Sequence, residues 1–177
     1  MNNKLDLETA LLGFLIDNPM HGYELHKKIS DLSGIGLVWK VKTGKLYAML
    51  KKLEAQGLAT TDTVKNGNRP AKTVFSATPK GEIIFIEWIK DPVKHGREFR
   101  IKFLLKLYFS IIQNEKTTEN LIQKQIEETR EWIKKAEEIQ ENGENEFKKI
   151  VTTYRLFQMR NLIDWMEWCG KFVREII

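Results

Sequence analysis

Two short segments rich in β-branched residues constrain the fold of this chain most strongly. They read LATTDTV, residues 58–64, and KTVFSAT, residues 72–78, a composition typical of β-strands. Between them lies KNGNRPA, in which Asn66-Gly67 predicts a hairpin turn and Pro70 limits the length of the ladder. No strand pattern occurs after about Asp91. We therefore expect a mainly α-helical protein with one small β-hairpin.

Amphipathic helix patterns precede and follow the hairpin. The first is expected to start at Asp6 as N-cap and to end at DNPMHG, the second to end at Ser33-Gly34, and the third at Gly57. A fourth opens in TPKGEIIFIEWI. The positions expected to face the core are Leu7, Ala10, Leu11, Phe14 and Leu15, then Tyr23, Leu25, Ile29 and Leu32, then Leu46, Met49, Leu50 and Leu53, and finally Ile83, Ile86 and Trp88. This order predicts a winged helix-turn-helix.

The second half of the chain has only helical patterns. DPVKHG interrupts the sequence like a linker, so we expect one domain over residues 1–90 and a helical second domain over 91–177. REFRIKFLLKLYFSIIQ is apolar on most of its circumference and must be covered on more than one side. The next segment has a coiled-coil type of seam, and ENGEN with Gly143 makes the turn that follows it. The seam residues are Ile122, Ile126, Thr129, Ile133, Ala136 and Gln140.

The last segment, Glu144 to Ile177, predicts a helix of about 30 residues and roughly 45 Å. Such a helix is longer than the rest of this small chain can cover. It carries a series of large apolar residues, which are Phe147, Ile150, Tyr154, Phe157, Trp165, Trp168 and Phe172. A protein partner is therefore expected to cover the exposed stripe.

Positive charge is concentrated on the third helix and the hairpin. Between Lys40 and Lys72 there are eight basic and two acidic residues, which give this segment a net charge of +6. Because the whole chain carries +5, the remaining residues sum to about −1. A helix of this kind fits the major groove of DNA. Lys42, Thr43, Lys45 and Tyr47 are placed to reach bases or phosphates. Lys51 and Lys52 lie further along and meet the DNA backbone or solvent, while the wing residues Arg69 and Lys72 reach across phosphates to the minor groove.

Each of these signals has an alternative. A lysine-bearing helix is often only a solvated surface, and the alternative for Tyr47 is a core residue with a hydrated hydroxyl. His21 and His26 have the wrong spacing to share a metal on one helix face, His95 reads as an exposed linker histidine, and Cys169 beside Met166 fits packing better than redox sensing.

Several function classes find no support in the sequence. There is no glycine-rich phosphate loop, paired catalytic carboxylate motif, metal-ligand cluster or nucleophile motif, so we expect neither an enzyme nor a cofactor. No apolar run approaches the roughly 20 residues of a membrane span, and no signal peptide is recognisable. A single cysteine suits a reducing cytoplasm. The alternative to DNA binding is a winged-helix adaptor that binds proteins, although such modules usually lose these cations.

Three motifs resemble the PadR family of bacterial transcriptional regulators. They are LLGFLIDNPMHGYELHKKI, VWKVKTGKLYAMLKKLEAQGL and GNRPAKTVFSATPKGE, in order and at the family's spacings. The remainder, from DPVKHGREFRIKFLL onward, resembles the helical C-terminal domain of the longer, virulence-activator type of PadR protein. The resemblance implies a regulator, most often a repressor, that binds a pseudo-palindromic operator as a homodimer through intertwined C-terminal helices.

The resemblance also implies roles for individual residues. His21 and Tyr23 start the second helix near the phosphates, Lys42, Thr43, Lys45 and Tyr47 belong to the recognition helix, and Arg69 belongs to the wing. This chain departs from the family's Ser-Pro-Gly-Thr at Lys42 to Lys45, which leaves Thr43 as substitute cap, and it has Ala48 for a frequent Pro and Phe75 for a common wing Tyr. Some relatives respond to phenolic or hydrophobic molecules. Trp39, Phe99, Phe103 and Trp168 are candidates for such a pocket, with a plain packed core as the alternative.

Overall fold

A computed structural model describes residues 7–16, 18–64, 72–141 and 145–176 of the chain. The chain forms two compact units: the first comprises Met1–Ile89 with Leu104–Phe109, and the second Lys90–Phe103 with Ser110–Ile177. The mainly α-helical class with a small antiparallel sheet is confirmed.

The first unit has the predicted order of elements with two additions, a short 3-10 turn and strand β1. Its helices are α1 (Thr9–Leu15), α2 (Gly22–Ile29), a short 3-10 turn (Ile35–Leu37), α3 (Thr43–Ala55) and α4 (Pro79–Lys90). Its strands are β1 (Met20–His21), β2 (Ala59–Val64) and β3 (Lys72–Ala77). The sheet order is β1-β3-β2, all antiparallel, with Met20 and Thr61 both opposite Phe75. Strand β1 was not predicted because two residues are too short for a period of two to appear.

The core of this unit lies between α1, α2, α3 and α4. Its fully buried residues include Leu11, Leu12, Leu15, Leu25, Ile29, Leu46, Leu50, Leu53, Leu58 and Ile89. The ring of Phe109 packs edge-on against Phe14 and Phe85, with centroid distances of 5.0 and 5.1 Å. Helix α3 ends as predicted: Gly57 has φ +68° and Leu58 N–H bonds to Leu53 O at 2.9 Å, a Schellman arrangement.

Three details of the predicted helices were wrong. Helix α1 has Glu8, not Asp6, at its N-cap position. Helix α2 ends at Ile29, because the Asp31 carboxylate accepts a hydrogen bond from the Ser33 N–H at 3.0 Å and forms a turn. Leu32, beyond this end, is consequently exposed instead of buried, and Tyr23 at the start of α2 is exposed as well.

Helix α4 buries Trp88 as predicted, but the rest of its buried face differs from the prediction. Phe85, Trp88 and Ile89 point inward, whereas Ile83 is 60% exposed. Gly81 determines this face, since a Cβ on it would lie 2.0 Å from Leu58 O. The glycine lets the helix approach the backbone at the start of β2, and the residues one and two turns later on that side are therefore buried.

The second unit is a helical hairpin with a preceding segment. A three-residue helix α5 (Gly96–Glu98) and a π-helical turn (Phe99–Phe103) lead into α6 (Leu104–Gln113), which begins in the first unit. Helices α7 (Glu115–Glu141) and α8 (Glu146–Ile176) pack antiparallel, with ion pairs such as Arg160–Glu137 at 2.9 Å and Arg174–Glu119 at 3.5 Å. The predicted turn at Gly143 lies outside the described residues.

The seam predicted on α7 packs within this unit. Ile122, Ile126, Thr129 and Ala136 are buried, and α8 buries Leu156, Met166, Cys169 and Val173. Two residues at the end of the apolar segment of α6, Ile111 and Ile112, are exposed instead of covered.

The segment DPVKHG is anchored instead of linker-like. Val93 is buried, and the fully buried side chain of Gln125 bonds to both of its backbone groups. Val93 N–H donates to Gln125 Oε1 at 2.7 Å, and Gln125 Nε2 donates to Val93 O at 3.2 Å. Lys94 bonds to Glu128 one turn further along α7, at 2.6 Å.

Candidate nucleic-acid interface

The N-terminal half of α3 presents a polar, cationic surface. Lys42 occupies the N-cap position, and Thr43, Gly44 and Lys45 follow it, all exposed. The opposite face of the helix carries the buried residues Leu46, Met49, Leu50 and Leu53. This division of the helix is the one that the sequence predicted.

Thr43 does not replace the missing serine cap. The N-terminus of α3 has no side-chain capping bond, and the Thr43 hydroxyl lies 3.4 Å from His26 Nε2 on α2. His26 Nε2 in turn lies 2.9 Å from Val41 O. The first turn of α3 thus keeps its own amide groups uncapped by side chains.

The lysines of α3 differ in their partners. Within the described ranges, Lys42, Lys45 and Lys51 form no ion pair. Lys52 was predicted to meet DNA or solvent, but its Nζ pairs with the carboxylate of Glu8, which is 6% exposed. Since Glu8 precedes α1, no sequence pattern indicated this pair.

Tyr47 is intermediate between its two predicted roles. Its side chain is 38% exposed. The ring lies against Gly22, where an added Cβ would come within 2.6 Å, and it meets Phe75 edge-on at 6.5 Å between centroids. The phenol is therefore held by α2 and β3 while one side remains accessible.

Residues at the start of α2 adjoin the wing strand. His21 Nδ1 lies 3.0 Å from Thr73 O on β3, and the His21 N–H donates to Glu24 Oε2 at 3.1 Å. Tyr23 is 73% exposed. A cleft of about 430 Å³ opens here, and it is lined by His21, Gly22, Tyr23, Glu24, Tyr47, Thr73 and Phe75. The structure thus brings His21, Tyr23 and Tyr47 together.

The predicted DNA contacts of the hairpin fall at its tip and at the start of β3. Arg69, together with Asn66, Gly67 and Pro70, lies outside the described residues. Lys72 is the first residue of β3, where it pairs with Val64 of β2. Phe75 is 5% exposed, so this position belongs to the packed side of the strand.

The apolar residues of α8 divide into two groups. Phe147, Ile150, Tyr154, Phe157, Trp168 and Phe172 are exposed, and they repeat at spacings of three and four residues along one side of the helix, interrupted between Phe157 and Trp168. The rings of Trp168 and Phe172 stack at 4.9 Å. Trp165 does not belong to this stripe, because it is half-buried against Phe99 and Phe103 at 6.0 and 6.4 Å.

The residues suggested for a ligand pocket have different environments. Trp39 is buried in the first unit, at 3% exposure. Phe99 and Phe103, in the second, stack on each other at 4.4 Å and contact Trp165. Trp168 lies on the exposed stripe of α8.

The cysteine, metal ligands and membrane spans are the other features of the structure that bear on function. Burial raises the pKa of the Cys169 thiol to about 11, so this group is a protonated, packed side chain at neutral pH. Within the described ranges, no three His, Cys, Asp or Glu side chains are grouped as a metal site would require. Of the helices in the described segments, none combines the length and hydrophobicity that a membrane span needs.

Comparison with known proteins assigns both halves of the chain. The model of the transcriptional regulator PadR-like family matches residues 11–85, and that of the virulence activator alpha C-terminal region matches residues 99–173. The N-terminal region of the chain thus belongs to the PadR-like family of transcriptional regulators. This region includes α3 and the hairpin, and a C-terminal region of the virulence-activator type follows it.

Individual PadR proteins are similar over nearly the whole chain. The negative transcriptional regulator PadR of Bacillus subtilis (strain 168) is 22% identical over 172 residues, covering 91% of this chain and 93% of the relative. A crystal structure of B. subtilis PadR with operator DNA has 21% identity, coverage of 94% and 98%, and a TM-score of 0.48. One with p-coumaric acid has 20% identity, coverage of 95% and 98%, and a TM-score of 0.44.

Proposed function

We propose that this PadR-like regulator is a repressor that binds a pseudo-palindromic operator as a homodimer, with α3 as the recognition helix in the major groove. The single observation that carries the proposal is the set of exposed lysines on α3. Lys42, Lys45 and Lys51 form no ion pair within the described part of the chain, so their charges are available to phosphates. The repressor assignment follows the relative named as a negative transcriptional regulator.

The first turn of α3 suits contact with base edges and phosphates. Lys42, Thr43 and Lys45 are exposed at the end of the helix that enters the groove first. His21 and Tyr23 lie at the start of α2, beside Tyr47, and we assign them to the flanking phosphates. Arg69 and Lys72, in and beside the hairpin tip, are assigned to the adjacent backbone and minor groove.

The second unit is proposed to form the dimer through α8. One side of this helix is buried on α7, whereas Tyr154, Phe157, Trp168 and Phe172 remain exposed on it. An exposed apolar stripe of this kind, in two groups along one side of the helix, is expected to be covered by a second copy, since large exposed patches mark interfaces. Two copies joined in this way present two recognition helices, which is what a two-fold symmetric operator requires.

DNA binding is tested by titrating the chain into a labelled duplex taken from upstream of its own gene at several salt concentrations. Lys45→Ala and Arg69→Ala should each weaken binding, and each should reduce the slope of log affinity against log salt by about 1. Lys134→Ala, which removes an exposed lysine on α7, should leave the slope unchanged. An unaltered slope in both interface variants would exclude these residues from the interface, and no binding by the wild type would favour the adaptor.

Dimerisation is tested by sedimentation of Trp168→Ala across a concentration series. Trp168 is 54% exposed and stacked on Phe172, so its loss should raise the monomer fraction. Leu37→Ala, at an exposed leucine of the first unit, is the matched control. If Trp168→Ala remains as dimeric as the wild type at the lowest concentration, the assigned face is wrong.

A small phenolic or hydrophobic effector is the second part of the proposal, following the PadR structure with p-coumaric acid. Binding to the native state raises the unfolding temperature, so a panel including p-coumaric acid should stabilise the protein. No shift across the panel would indicate that Trp39, Phe99 and Phe103 form packed cores only. We place the protein in the cytoplasm, because its proposed partner is chromosomal DNA.

A further inference from the structure

The recognition helix starts without the support that most helices have. The first four amide groups of a helix lack partners within it, and a side chain at the N-cap usually bonds one of them. Lys42 at the N-cap makes no such bond, and Thr43 and Lys45 after it are exposed. The start of α3 must therefore be held from another element.

One imidazole on α2 contacts both sides of this N-cap. His26 Nε2 lies 2.9 Å from Val41 O, immediately before Lys42, and 3.4 Å from the Thr43 hydroxyl, immediately after it. Because a carbonyl oxygen only accepts, Nε2 carries the hydrogen and donates it to Val41 O. His26 is itself half-buried, so its ring is held in place by packing.

Both α2 and α3 also contribute apolar side chains to the core of the first unit. Leu25 and Ile29 on α2 and Leu46 and Leu50 on α3 are fully buried. Burial of this kind brings the two helices together but is non-directional. The hydrogen bond to Val41 O is directional, and it fixes where the chain turns into α3.

Helix α2 makes a comparable contact with the wing. His21 at its start lies 3.0 Å from Thr73 O of β3. Two histidines, one in α2 and one at its N-cap, thus contact the elements that are assigned to DNA. His26 contacts the backbone before the recognition helix, and His21 contacts the wing strand.

We propose that His26 is a positioning residue for operator recognition, which holds the start of the recognition helix so that Lys42 and Lys45 meet specific groups on the DNA. The proposal rests on the proposed function. Specific contacts depend on hydrogen-bond distances, whereas non-specific attraction to phosphates tolerates a small displacement of the helix. Loss of His26 should therefore reduce the preference for the operator more than the general affinity for DNA.

The test compares binding to a labelled duplex of the chain's own upstream region with binding to a scrambled duplex of equal length. His26→Leu should lower affinity for the upstream duplex about tenfold, or 1.4 kcal/mol, with little change on the scrambled one. His26→Gln keeps an N–H donor near the position of Nε2 and should restore most of the preference. His95→Leu removes an exposed histidine of the second unit and should behave as wild type.

The outcomes separate the two proposals. If the wild type prefers its upstream duplex and folded His26→Leu shows the same preference, the role of His26 is overturned and the proposed function stands. If the wild type shows no preference, both fail. Ring nitrogen chemical shifts of the wild type at pH 8 provide a measurement without any variant. An Nε2–H tautomer with a hydrogen-bonded proton supports the proposal, and an Nδ1–H tautomer overturns it.

Discussion

Replacing Gln125 by leucine should destabilise the second unit markedly. The two side chains have similar volumes, so the change removes hydrogen bonds without opening a large cavity. Gln125 is fully buried and Val93 is 2% exposed, so the Val93 N–H and C=O would both lose their partner out of reach of water. An unsatisfied buried polar group costs roughly 1–3 kcal/mol, which gives a loss of about 3 kcal/mol for the pair.

The control is Gln123→Leu on the same helix. Gln123 is exposed and its side-chain amide bonds to Glu127 at 2.9 Å on the solvent side, so its replacement should change the free energy of unfolding by less than about 0.5 kcal/mol. Urea denaturation followed by circular dichroism measures both variants. Hydrogen exchange at the Val93 amide gives a local measurement, and Gln125→Leu should accelerate it. The reasoning is refuted if the two variants share a denaturation midpoint and the Val93 amide exchanges at the wild-type rate.

Three further predictions concern single groups. Gly57→Ala should lower the free energy of unfolding by about 1 kcal/mol, because φ is +68° there. Gly44→Ala, in open space on α3, should be neutral or raise it by up to about 1 kcal/mol. The midpoints of urea denaturation compare the two variants. The Cys169 thiol should resist alkylation in the native state at pH 8 and react on unfolding, and rapid labelling of the native protein would contradict this. Because the folded state raises the pKa of this thiol, the free energy of unfolding should fall as pH rises from the ordinary pKa of 9.0 to about 11. The Lys94 hydrogen bond holds the pKa of Glu128 below its usual value of 4.5. The ion pair therefore contributes to the free energy of unfolding above pH 4.5, and this contribution is lost as pH falls through the lowered pKa. Lys94→Ala should flatten the acid side of a plot of unfolding free energy against pH.

Local sequence patterns were sufficient for most of the elements. Helix α3 and its end at Gly57 followed from apolar spacing and one glycine, and β2 and β3 followed from their β-branched residues. The exposure of Lys42 and Lys45 followed from the same spacing, because the apolar face of a helix defines the opposite one. These features depend on residues within a few positions of each other.

Three of the predicted features that failed depended on neighbours distant in sequence. The inward face of α4 was set by the approach of Gly81 to Leu58. Trp165 does not lie on the predicted stripe, because it packs edge-on against Phe99 and Phe103. Lys52 forms an ion pair with Glu8, which lies 44 residues away in the sequence.

The sequence by itself determined the order of the longer helices and of β2 and β3, the cationic face of α3 and the apolar length of α8, since each is a periodic or compositional property of a continuous segment. Only the tertiary structure decided which polar groups meet. The contacts of His26 with Val41 and of Gln125 with Val93 join residues 15 and 32 positions apart. A hydrogen bond requires two groups within about 3 Å, and that distance exists only after the helices have packed.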